Sequence, residues 1–92
     1  MYQVRLRTKA KEDLFAIISY TKQKWGEEKV TEMEETIKHS FESILRAPFL
    51  GRRTREEHVF AKTLSIVPFV IVYKATTDYV YILRIIHTKR NR

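Results

Sequence analysis

Ninety-two residues with a formal net charge of +7 and no cysteine exclude several classes of protein at once. This length supports one hydrophobic core, so residues 1–92 are expected to form a single domain. Without thiols, neither a disulfide framework nor a thiolate metal site is available. The strongest apolar run, Ile66 to Tyr73, is too short to span a bilayer and contains Pro68. The N-terminal stretch carries Arg5 and Arg7 in place of the apolar core of a signal peptide. The expectation is a soluble, cytoplasmic protein with no membrane partner.

The charge is unevenly spread. Residues 1–46 hold nine Lys/Arg against eight Asp/Glu, whereas residues 47–92 hold nine against three. The second half is therefore a cationic surface, suited to phosphate backbones, acidic proteins or anionic lipid. Solubility alone would not require such asymmetry.

In chain order, Tyr2 to Arg7 alternates apolar and polar residues, the period of a strand with Tyr2, Val4 and Leu6 facing a core. Thr8 suits an N-cap. Ala10, Leu14, Ile17, Ile18, Thr21 and Trp25 then fall on one helical face, with Glu12 and Asp13 early and Lys22 and Lys24 late, as the helix dipole favours. Gly26 suits the residue that ends one helix, and Glu27 and Glu28 suit the start of the next. Val30, Met33, Ile37, Phe41, Ile44 and Leu45 trace a second apolar stripe, which Pro48 should stop at Ala47.

Phe49 to Glu57 reads as a polar, arginine-rich connection. His58 to Ile66 reads as a strand, Phe69 to Lys74 as a more buried one rich in β-branched and aromatic residues, and Tyr79 to Ile86 as a third. Thr76, Thr77 and Asp78 supply turn chemistry between the last two. Strict alternation in the last strand would put Tyr79, Tyr81, Leu83, Ile85 and His87 on one side and Val80, Ile82, Arg84 and Ile86 on the other. Thr88 to Arg92 forms a basic tail. The whole predicts a two-layer α+β fold: an N-terminal strand, an antiparallel helical hairpin, then a three-stranded antiparallel meander under the hairpin.

Signatures of catalysis are sparse. There is no P-loop, no HExxH and no serine in a nucleophile-elbow context. His39, His58 and His87 sit on different elements, so no metal site is expected, and no cofactor is implied. His39 fits an ordinary helix-surface residue. His87 ends a strand beside Arg84, Lys89, Arg90 and Arg92, and reads either as a strand-end histidine bonded to a loop or as a functional group. Arg52, Arg53 and Arg55 follow Gly51 and offer planar partners for phosphate or carboxylate; the alternative is a solvated loop partly neutralised by Glu56 and Glu57.

The order of elements resembles the RelE/ParE toxins of type II toxin–antitoxin modules. Particular phrases match the ParE branch: AKEDLFAIISYT (Ala10 to Thr21), WGEEK (Trp25 to Lys29), the Pro48 stop followed by Gly51-Arg52, PFVIVYKA (Pro68 to Ala75) and ILRIIHTKR (Ile82 to Arg90). RelE-like toxins cut mRNA on the ribosome and typically place basic residues on the middle strands, with a Tyr or His near the C-terminus. Here Pro68 to Tyr73 carries no basic residue, and tyrosine is absent after Tyr81.

The ParE branch is implied instead. Its members act as protein ligands of DNA gyrase, need no active site of their own, and serve plasmid stabilization. The resemblance further implies a cognate antitoxin, and a possible toxin dimer within a toxin–antitoxin hetero-oligomer. Arg52, Arg53, Arg55, Arg84, His87, Lys89, Arg90 and Arg92 are the candidate contacts to target or antitoxin. The alternative is a ribosome-dependent endoribonuclease using His87 and Arg84, with ribosome and mRNA as its partners.

Overall fold

Gln3 and Arg5 are exposed and Val4 and Leu6 half-buried, which makes β1 (Gln3–Leu6) a strand with one wet face. The computed structural model describes residues 3–64 and 67–88. The expected strand residues Tyr2 and Ile66 and the tail cations Lys89, Arg90 and Arg92 lie outside the described residues. Arg7 still donates its N–H to the sheet at Ile82 O (3.0 Å), yet its own carbonyl already accepts from Lys11 N (3.0 Å). The chain thus leaves the strand and enters helix α1 (Thr8–Trp25) within one residue.

This corrects the expectation for Thr8. It is the first helical residue, and extended Arg7 holds the cap position with no side-chain cap bond. Ala10 and Thr21 of α1 are buried and Leu14 and Ile17 pack on the core, but Trp25, expected on the same face, is 61% exposed. Gly26, at φ +92°, turns the chain directly into α2 (Glu27–Arg46). Val30, Ile37 and Ile44 form the buried face of α2, and Met33, Phe41 and Leu45 flank the core. The helix ends at Ala47 before Pro48, and Pro48–Leu50 makes a short 3₁₀ turn.

The strands β2 (Arg52–Arg53), β3 (Val59–Thr63), β4 (Phe69–Ala75) and β5 (Tyr79–His87) join β1 in one five-stranded sheet of order β1-β5-β4-β3-β2. The expected meander is its centre. β1 adds parallel to β5 at one edge and β2 antiparallel to β3 at the other. β2 lies in the stretch read as a connection, since two arginines give no apolar alternation to detect. β3 begins one residue later than expected, because His58 has φ +66° and cannot continue an extended strand, and it ends at Thr63.

Both helices cover one face of the sheet. Phe60, Leu64, Phe69, Ile71, Tyr73, Ala75, Val80, Ile82 and Ile85 meet Ala10 and Ile44 there. Strict alternation fails in β5. The register passes from Tyr73 opposite Ile82 to Val72 opposite Arg84, leaving Leu83 as an extra, bulged residue. Val80 and Ile82 face the helices before the bulge, and Ile85 faces them after it. One inserted residue exchanges the two sides of everything that follows.

Candidate functional site

Just after the bulge, the long side chain of Arg84 reaches the helical hairpin. Its guanidinium donates to both carboxylate oxygens of Asp13 on α1, Nε to Oδ2 at 2.8 Å and Nη2 to Oδ1 at 3.1 Å. The Ile85 backbone N–H adds a third bond to Oδ2 at 2.9 Å. Burial opposes the charge on Asp13, but the Arg84 and Ile85 hydrogen bonds and the cationic Arg84 and Lys9 outweigh it, so its carboxyl titrates below the ordinary carboxylate value. The same carboxylate holds Arg84 above the usual guanidinium value.

Beside this pair an open groove of about 1100 Å³ runs between the hairpin and the ends of β4 and β5. Ile17, Met33, Phe69 and Ile85 supply much of its apolar floor, with Tyr20 and Trp25 among its lining residues. Tyr20 is 58% exposed, and Lys24 Nζ lies 5.6 Å from its ring centroid and 5.8 Å from that of Trp25. His87 also lines the groove, its ring edge-on to Phe69 at 5.2 Å. Thr88 N donates to Pro68 O at 2.8 Å, pinning this end of the sheet.

The expected cations do not form one patch among the described residues. Arg84 and His87 flank the groove on β5. Arg52 and Arg53 occupy the far edge strand, with β3 and β4 between, roughly 14 Å away at ordinary strand spacing. Arg52 is opposite Ala61 and Arg53 opposite Phe60, so the two point to opposite faces. Arg55 is exposed in the following turn. His39 is an exposed α2 residue beside a small polar recess shared with Lys62, as its helix position suggested.

With this geometry in view, residues 4–92 match the family model for the ParE toxin of type II toxin-antitoxin system, parDE. The chain belongs to the ParE toxin family. Its fold is similar to a solved chain of the chromosomal ParDE TA system from P. aeruginosa, with a TM-score of 0.82 at 25% identity, over 95% of this chain and 96% of that one. No curated protein matches.

For a ParE-family chain, three features of this surface escaped the sequence. Asp13 read as a dipole-favoured acid, although it stands three residues after Ala10 and four before Ile17, on the buried stripe itself; an acid at that spacing is a signal for a tertiary partner. The groove arises only when the hairpin and sheet diverge, and no periodicity records that. The third feature is the opposite face of the sheet, where Arg5 lies over Tyr79 (4.9 Å) and Arg7 over Tyr81 (4.5 Å).

Proposed function

We propose that this ParE-family toxin acts as a protein ligand of DNA gyrase, neutralised by a cognate antitoxin. The observation that carries the choice over the ribonuclease alternative is the Asp13–Arg84 pair. A ribonuclease of the RelE kind must stabilise a pentavalent phosphate with cations held free for it. Here the cation that β4 and β5 present to the groove, Arg84, already has its charge paired with a bidentate carboxylate. The other, Lys74, is on the opposite face, between buried Tyr73 and Ala75. Such an arrangement favours a docking surface over a reaction centre.

The groove supplies one half of that surface. An amphipathic antitoxin segment would lay its apolar side on Ile17, Met33 and Phe69 and its acidic side towards Lys24 and Lys29. The exposed Arg53 and Arg55 supply a second, separate contact region at the other sheet edge.

Purified toxin added to gyrase should inhibit supercoiling of relaxed plasmid and accumulate cleaved DNA, while an in vitro translation reaction proceeds unaffected. Intact supercoiling with mRNA cut at discrete in-frame positions would overturn this reading and favour the ribonuclease.

A further inference from the structure

The sheet face away from the helices is covered by no helix among the described residues. We infer that this face is a binding surface for the phosphate backbone of double-stranded DNA, carried by Arg5, Arg7, Lys74 and Arg52. The inference is independent of the target assigned above.

Cross-strand register places the four cations together. Arg5 on β1 is opposite Tyr81 on β5, and Tyr81 is opposite Lys74 on β4. Arg52 is opposite Ala61, which is opposite Val72, a neighbour of Lys74 two residues along the same face. Arg7 continues the line of Arg5. All four are exposed. They spread over five strands, roughly 19 Å at ordinary spacing. The acids of this half, Glu56, Glu57 and Asp78, sit in the two connecting turns at one end of the sheet, and none lies on a strand. A cationic field this broad, without interleaved carboxylates, complements a polyanion.

The tyrosines decide which polyanion. Tyr79 and Tyr81 stack on each other at 5.7 Å, and Arg5 and Arg7 each cover one of the rings. Their ring faces are occupied, so they offer no free platform for the unstacked bases of a single strand. The rings instead hold two guanidiniums in place, and a guanidinium over a ring face keeps its N–H donors for bidentate phosphate contacts. Two residues along a strand separate their Cα atoms by about 7 Å. The C2′-endo sugars of B-form DNA keep successive phosphates at about that distance, whereas the C3′-endo sugars of an RNA helix bring them closer. A duplex carries a charge at every nucleotide, whereas a peptide carries one only where its sequence places a carboxylate.

The test is fluorescence anisotropy of a labelled 20-base-pair DNA duplex titrated with purified toxin over a range of salt concentrations. Four phosphate contacts give a slope of log K against log salt of about −3.6, and the double variant R5A/R7A should halve it to about −1.8. At 0.1 M salt that loss is roughly 60-fold in affinity. R5K/R7K, which keeps the charge but not the stacking planes, should fall between. K11A/K38A, which removes the same charge from the two helices, should leave the slope unchanged. Equal loss in K11A/K38A, undiminished binding by R5A/R7A, or equal or tighter binding of single-stranded DNA or duplex RNA would each overturn the proposal. Displacement of the duplex by polyglutamate at equal charge concentration would do so too.

Discussion

Tyr73 is 1% exposed, stacks on Phe60 at 5.6 Å, and donates its hydroxyl to Pro48 O at 2.9 Å, tying β4 to the turn after α2. Gly51 lies against the same hydroxyl. A Cβ there would run into the Tyr73 oxygen and stand 3.0 Å from Phe60 Cβ. Tyr73→Phe should cost about 1–2 kcal/mol, because a buried carbonyl loses its donor. Gly51→Ala should cost about 1–3 kcal/mol through overpacking. Urea denaturation measures both.

Asp13 makes a different prediction at the same scale. Its carboxyl is lowered in the folded chain, so its contribution to stability is fully present above the unfolded value of about 3.9 and is lost as pH falls through the folded one. Asp13→Ala should lose about 1–3 kcal/mol at pH 7, less if solvent screens the half-exposed Arg84. Asp13→Asn, which can still accept from Ile85, should lose less. Denaturation curves at successive pH values should show the wild type converging on the alanine variant below pH 4, and a constant gap would refute the assignment.

At the scale of elements, the hairpin depends on Gly26. Its φ of +92° with ψ of 179° lies where only glycine rests without strain. A Cβ there meets nothing within 4 Å, so any cost of Gly26→Ala is backbone strain alone, about 1–3 kcal/mol. Thermal melting should register it as a clear drop. Both helices were legible from their apolar stripes and from Gly26 and Pro48, which are local signals. β2 was not, since two arginines become a strand only because the edge of β3 offers them partners. The bulge at Leu83 was equally silent. Its apolar neighbours look alike on either phase, and only the pairing with β4 reveals the shift.

For the molecule as a whole, the groove and the open sheet face are two surfaces with different chemistry. Trp25 and Tyr20 project at the groove with little burial to lose, and tryptophan and tyrosine are the residue types that most often carry binding energy once a partner covers them. Trp25→Ala and Tyr20→Ala should each weaken antitoxin binding at least tenfold, read by calorimetric titration, while shifting the melting temperature by only a few degrees. Unchanged affinity would move the antitoxin to another surface.

Sequence alone determined the α+β class, the strand–hairpin–meander order and the cationic second half, because hydrophobic period, glycine, proline and charge act over a few residues. Only tertiary structure decided where those charges stand. It bound Arg84 to Asp13, seventy-one positions away, and sent Arg52 and Arg53 to the far edge. It also laid Arg5 and Arg7 across rings from the other end of the chain. Long-range pairing and a one-residue bulge set these positions, and neither leaves a local trace.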